Sequence, residues 1–211
     1  MNSDFSCISH ILSKAPVVPV IVMDNLEKAI PLARALVAGG LPVLEVTLRT
    51  PIAFEAIRLM KTVPGAIVGA GTVTNCADLK GALNVGSDFV VSPGLVEKVA
   101  ITAAQRGVPF LPGVSTASDI MRGRALGLTY FKFFPAAASG GLSALKALSA
   151  PFAECRFCPT GGIDAGNAAE WLKFDPVMCV GGTWVAPRGA SDMLLVERAA
   201  REATKLRLQG R

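Results

Sequence analysis

The feature that most constrains this chain is a repeated alternation of two local patterns. Short runs rich in Val, Ile and Phe alternate with stretches of helical period, and Gly, Pro or Asn separates them. Val17–Met23 reads as the first buried strand. Asp24 or Asn25 then caps a helix to about Val37, ended by Gly39-Gly40. The next strand covers 42–48, and Thr50-Pro51 opens a helix with proline at its first position. Further strands are predicted at 66–70, 88–92, 108–112, 129–134, 156–160 and 177–181. Helices are predicted at 75–84, 95–106, 116–126, 141–149, 164–173 and from Ser191 onward. A short leading helix over 3–14, capped by Ser3 or Asp4, precedes them. Eight strand–helix units predict an α/β fold, a (β/α)8 TIM barrel with a short N-terminal helix, as one domain over 1–211. An open doubly wound sheet would want a glycine fingerprint after its first strand, and Met23-Asp24-Asn25-Leu26 has none.

Composition excludes several functional classes. The chain is 51% hydrophobic and 18% charged, enough apolar residue for a buried core and too little charge for disorder. Its net charge of +5 comes without a dense basic patch interleaved with aromatics, so no nucleic-acid partner is expected. The positive balance suits an anionic small molecule. Thr62–Ala77 is the longest uncharged run and is broken by Pro64 and three glycines, so no membrane span is expected. The amino terminus lacks the pattern of a signal peptide, and a cytoplasmic location with reduced thiols is expected. Cys155 and Cys158 form a C-x-x-C, but His10 is the sole histidine and no second cysteine pair exists. A four-ligand zinc site is therefore not expected.

The strand Thr129–Pro135 carries Lys132 among Tyr130, Phe131, Phe133 and Phe134. Burial disfavours an ammonium, and an amine in apolar surroundings can attack a carbonyl to form a Schiff base. In a barrel, chemistry sits where strands run into the loops that follow them. On the second strand Val43, Glu45, Thr47 and Arg49 share one face, and Leu44, Val46 and Leu48 the other. The apolar face should meet the helices, which sends Glu45 and Arg49 inward and towards the mouth. The third strand ends Gly69-Ala70-Gly71-Thr72, whose glycines admit close backbone approach. Pro93 and Gly113 shape the mouth after the fourth and fifth strands. The last two strands end Thr160-Gly161-Gly162 and Gly181-Gly182-Thr183, where barrels often hold a phosphate.

With these residues assembled, the chain resembles the 2-keto-3-deoxy-6-phosphogluconate aldolase family, which overlaps with 4-hydroxy-2-oxoglutarate aldolase. The likeness runs from Pro16 to Trp184. It is most specific in Leu44-Glu45-Val46-Thr47-Leu48-Arg49-Thr50, Gly69-Ala70-Gly71-Thr72, Phe131-Lys132-Phe133-Phe134-Pro135 and Cys158-Pro159-Thr160-Gly161-Gly162-Ile163. The resemblance implies a class I aldolase of the Entner–Doudoroff pathway, yielding pyruvate and glyceraldehyde 3-phosphate. It implies Lys132 as the Schiff-base lysine and Glu45 as the general acid/base. Arg49 and Thr72 would hold the pyruvate carboxylate, Pro93 would line the substrate, and Thr160 would contact the sugar-acid portion. Gly161, Gly162, Gly181, Gly182 and Thr183 would take the phosphate; some relatives carry serine in place of Thr183. A homotrimer working without metal or cofactor also follows from the resemblance alone.

Two other classes fit the residues less well. A phosphate-binding barrel that isomerises or epimerises a sugar phosphate would use Glu45 with Asp164 or Asp119, and would have no need of Lys132. A non-catalytic ligand-binding barrel gives no reason to bury a lysine among aromatics.

Overall fold

The computed structural model describes residues 6–208, so the Ser3 or Asp4 cap lies outside the described residues. Helix α1 (Ser6–Leu12) leads into β1 (Val17–Ile21), and a 3-10 turn (Leu26–Lys28) opens α2 (Ala29–Ala38). There follow β2 (Val43–Thr47), α3 (Ala53–Met60), β3 (Ile67–Gly71), α4 (Cys76–Asn84), β4 (Phe89–Val91) and α5 (Glu97–Gln105). The fifth barrel strand is split by Pro112 into β5 (Phe110–Leu111) and β6 (Gly113–Val114), and α6 (Ala117–Ala125) follows. The chain continues through β7 (Tyr130–Phe133), α7 (Gly141–Ser149), β8 (Arg156–Pro159), α8 (Ala168–Leu172), β9 (Val180–Gly182) and α9 (Met193–Thr204).

All pairings between these strands are parallel. One run is ordered β5-β4-β3-β2-β1-β9 and the other β6-β7-β8. Continuity through Pro112 joins them on one side, where Lys132 N donates to the Pro112 carbonyl at 2.8 Å. On the other side parallel bridges join Phe157 to Val177 and Thr160 to Gly181. The ring is therefore closed, as the alternation predicts.

Local chemistry sets the helix ends. Gly40 lies at φ +90°, and the next amide, Leu41 N, reaches back to Leu36 O at 3.0 Å. Only a residue without a Cβ takes that left-handed turn cheaply, and the bond satisfies a carbonyl the helix leaves unpaired. The same closure recurs at Gly107 and Gly127. Differences from the sequence reading fall where pairing or tertiary packing decides. Helix α3 begins at Ala53, with Pro51 in the preceding turn. The fifth strand runs on past residue 112, and α8 is shorter than the predicted 164–173. Strand β9 starts at Val180, with Val177 contributing only a bridge.

Two cores result from strand alternation. Leu44 and Val46 pack outward with Leu36, Ile57 and Met60 of the helix layer. Val18, Val43, Phe89 and Leu111 point into the ring, and Ile8, Ile11 and Leu12 of α1 join them. Those ring residues lie near strand starts, and α1 leads directly into the start of β1. Helix α1 thus plugs the amino end of the barrel and leaves the other end for a site.

Candidate active site

Strands β2 and β7 stand on opposite sides of the closed ring. Glu45 and Lys132 both project inward and span the interior, so that Lys132 Nζ donates to Glu45 Oε1 at 2.8 Å. The two side chains are only 6% and 4% exposed. Taking two charges out of water is costly, and a buried pair is weak evidence for stability. The pair also gives the ammonium a carboxylate that can accept its proton directly.

The surroundings of Lys132 are less aromatic than the sequence suggests. Phe131 and Phe133 face the helix layer, as alternation requires of the neighbours of an inward residue. Tyr130 packs with the interior cluster, and the Phe134 ring lies 5.4 Å from Nζ. Phe134 is a site residue the strand pattern alone did not single out. It stands one residue past β7, where alternation no longer applies.

Glycine at position 71 has a specific cause. A Cβ there would stand 2.4 Å from Glu45 Oε1, so the missing side chain makes room for the carboxylate. Gly69 likewise yields to the Phe89 ring, and Gly182 to the Trp184 indole. Gly181 leaves space for Thr160, whose Oγ1 would be 2.3 Å from an added Cβ. At these four positions the room a side chain would need is taken up by neighbouring protein side chains.

The remaining candidates cluster at the carboxyl ends of the strands. Arg49 follows β2, Thr72 follows β3 and Pro93 follows β4. Thr160 follows β8, Gly181 and Gly182 end β9, and Thr183 comes next. Arg49 is exposed, and among the described residues no carboxylate pairs with it. Thr72 has φ +62°, a left-handed conformation that a β-branched residue rarely takes. Thr160 is buried, and its Oγ1 lies 3.4 Å from the Cys158 carbonyl. Gly161 and Gly162 turn the chain at φ +101° and +75°. Among the described residues the amides of Gly162 and Thr183 donate to no backbone carbonyl. Such amides can receive an anion.

The alternative acids are committed elsewhere. Asp119 Oδ2 accepts from Ser115 N, Thr116 N and Thr116 Oγ1 at the start of α6, and Arg122 donates to Oδ1 at 2.6 Å. Burial by itself would raise this carboxyl, but those donors and Arg122 together hold it below the usual aspartate value. Asp164 accepts from the amides of Gly166 and Asn167. The isomerase reading thus lacks a second acid to work with Glu45. Among the described residues no group of three His, Cys, Asp or Glu could hold a metal ion. Cys155 packs in the helix layer and Cys158 inside the ring, on opposite faces of the wall, which removes the C-x-x-C as a redox pair.

Residues 8–199 match the family model for KDPG and KHG aldolase. The KHG/KDPG aldolase of Escherichia coli K12 is 50% identical over 199 residues, covering 92% of this chain and 93% of that protein. The crystal structure of the 2-keto-3-deoxy-6-phosphogluconate aldolase of Zymomonas mobilis ZM4 with 3-phosphoglycerate superposes with a TM-score of 0.93. It is 48% identical and covers 98% of this chain and 97% of that one. The Legionella pneumophila KDPG aldolase, with pyruvate captured as a covalent carbinolamine intermediate, gives 0.90 at 42% identity, covering 93% of this chain and 97% of that one. With the family model matched across nearly all of the barrel and relatives half identical along its length, this chain belongs to the KDPG and KHG aldolase family.

Proposed function

We propose that this protein is a class I aldolase that cleaves 2-keto-3-deoxy-6-phosphogluconate to pyruvate and glyceraldehyde 3-phosphate through a Schiff base on Lys132. The observation that carries this reading is the buried lysine held at 2.8 Å from Glu45 in the barrel interior. Relatives named as KDPG aldolases, and a relative that holds pyruvate covalently, support it.

The chemistry follows from the residues. Glu45 takes a proton from Lys132, and the free amine attacks the C2 ketone to give a carbinolamine. Glu45 returns that proton to the carbinolamine hydroxyl, and loss of water leaves an iminium ion, the electron sink for the next step. The C4 hydroxyl gives its proton to Glu45, directly or through a water, as the C3–C4 bond breaks and its electron pair enters the iminium. The aldehyde leaves, and an enamine of pyruvate remains. Protonation at C3 and hydrolysis then release pyruvate and restore the amine. Arg49, with Thr72, grips the keto-acid carboxylate in a forked contact that aims C2 at the lysine. Thr160 and Pro93 line the chain between the two ends of the substrate. The amides of Gly161, Gly162 and Thr183, with Gly181 and Gly182 shaping the pocket, hold the phosphate, whose remote binding energy orients the reacting bond.

The same machinery serves 4-hydroxy-2-oxoglutarate, which offers the same 2-keto acid end. We assign the step to the Entner–Doudoroff pathway and the whole chain to one barrel domain that assembles as a homotrimer. The free thiols of Cys76, Cys155 and Cys158 suit a reducing compartment, and we place the enzyme in the cytoplasm. No helix among the described residues is long and apolar enough to cross a membrane.

Borohydride reduction in the presence of pyruvate, followed by intact mass and peptide mapping, tests the proposal. One reduced pyruvate adduct on Lys132 is expected. A folded protein that takes no adduct, or takes it on another lysine, would overturn it.

A further inference from the structure

We infer that Thr47 and Thr50 are positioning residues that aim Arg49 by extending the seam between β1 and β2 with side-chain hydrogen bonds. Backbone pairing along that seam registers Val20 with Glu45 and Ile21 with Val46, and then stops. Beyond it two hydroxyls take over. Thr47 Oγ1 donates to the Ile21 carbonyl at 2.9 Å in full burial, and Thr50 Oγ1 donates to the Met23 carbonyl at 2.6 Å. On the opposite flank Thr47 registers with Gly71, and Leu48 N donates to Gly71 O at 2.9 Å. Ala53 N closes the segment by reaching back to Thr50 O at 3.2 Å.

The chain from 47 to 50 is therefore tied on both sides, and Arg49 is the residue between the ties. Its own guanidinium is exposed and pairs with no carboxylate among the described residues. Nothing at the tip of the side chain fixes its direction, so the backbone must. A long arginine has much rotamer freedom to lose, and a fixed origin limits how much is lost when it meets a carboxylate. Valine at either threonine would fill nearly the same space yet leave a carbonyl without its donor. Shape and hydrogen bonding can thus be separated by substitution.

This inference rests on the proposal that Arg49 binds the keto-acid carboxylate, and the experiment keeps the two apart. Thr50→Val, Thr50→Ser, Arg49→Ala and the double variant Thr50→Val/Arg49→Ala are made in the full chain. Each is measured for the pyruvate concentration that half-saturates borohydride trapping, for KM and kcat of cleavage, and for thermal midpoint. Thr50→Val should raise the half-saturating pyruvate and KM roughly three- to tenfold, the worth of one hydrogen bond. Its kcat should stay within about twofold, as expected when binding rather than chemistry is lost. Thr50→Ser, which keeps the hydroxyl, should behave as the parent protein does. Adding Thr50→Val to Arg49→Ala should cost nothing further, because the residue being aimed is gone.

If Arg49→Ala raises the half-saturating pyruvate while Thr50→Val leaves it unchanged, the positioning inference fails and the Arg49 assignment stands. Additive losses in the double variant, or a Thr50→Ser variant as impaired as Thr50→Val, overturn it in the same way. If Arg49→Ala leaves pyruvate binding untouched, the assignment fails and takes the inference with it. Thr47→Val should repeat the Thr50→Val pattern. Because Thr47 is fully buried and its variant is the one at risk of misfolding, Thr50 decides the case.

Discussion

Lys132 and Glu45 depend on each other in ways that separate stability from catalysis. Removing one member of a buried pair leaves the other charge without compensation, at a cost of about 3–5 kcal/mol. Lys132→Met should therefore lower the unfolding free energy measured in urea by about that much, and should reduce cleavage by several orders of magnitude. The double variant Lys132→Met/Glu45→Gln should regain most of the stability and none of the activity. A double variant no more stable than Lys132→Met would mean that the pair contributes little through charge. Gly71→Ala probes the same geometry without touching either charge. Its Cβ would lie 2.4 Å from Glu45 Oε1, the oxygen that accepts from Lys132, so the carboxylate must shift from the place where it meets the lysine. The variant should fold, with kcat reduced roughly tenfold to a hundredfold, since displacement of about 1 Å is costly to a positioned group. A kcat equal to that of the parent protein would show that Glu45 tolerates displacement.

Helix α6 shows how one element holds a mouth loop in place. Thr116 and Asp119 form a reciprocal capping box, and Asp119 also accepts the Ser115 amide at the end of the fifth barrel strand. Its carboxyl is held below the usual aspartate value in the folded protein, so folding favours the ionised form. The stability it lends is complete above the unfolded carboxyl's pKa and is lost as pH falls through the lower folded value. Asp119→Ala should cost about 1 kcal/mol near neutral pH, as cap removals do. The difference between variant and parent should begin to shrink below about pH 4, where the unfolded carboxyl takes up its proton, and should be smallest once pH falls below the lower folded value. Urea melts at neutral and acid pH check this, and a gap that widens on acidification would contradict it. The same element-scale reasoning accounts for Cys155. Burial, with Glu154 adding to it, pushes its thiol up, so it reacts as a packed side chain and not as a nucleophile.

At the scale of the molecule, the barrel is closed where its substrate end is built. The bridge between Thr160 and Gly181 completes the ring, and it exists because Gly181 leaves Thr160 room. Gly181→Ala should strain that seam, lowering stability by about 1–3 kcal/mol and weakening affinity for a phosphorylated substrate more than for pyruvate. Equal losses for both ligands would place the damage outside the end proposed to hold the phosphate. At the other end Leu12 of α1 is buried against the ring interior. Leu12→Ala should cost about 2–5 kcal/mol while leaving KM near its parent value, because the plug and the site lie at opposite ends of the strands. Thermal unfolding and steady-state kinetics together check this.

Much of this molecule could be read along the chain. Alternation of short β-rich runs with capped helices determined the barrel, because each unit buries its apolar faces only when its neighbours close around it. Period-two patterning determined that Glu45 faces inward while Leu44 and Val46 face the helices. A lysine inside a strand marked the site. Other features belong to closure alone. No local pattern states that the second and sixth barrel strands stand opposite each other, so the meeting of Glu45 with Lys132 was decided only when the ring closed. Nor does the sequence say which glycines make room for a neighbour, since Glu45 and Thr160 reach Gly71 and Gly181 from other strands. The C-x-x-C looked like a pair along the chain and was separated by the wall of the barrel, because Cys155, just before β8, packs in the helix layer while Cys158, within β8, packs inside the ring. Local spacing determined the elements and their faces; contacts between residues far apart in sequence, which only a closed ring brings together, decided the chemistry at its centre.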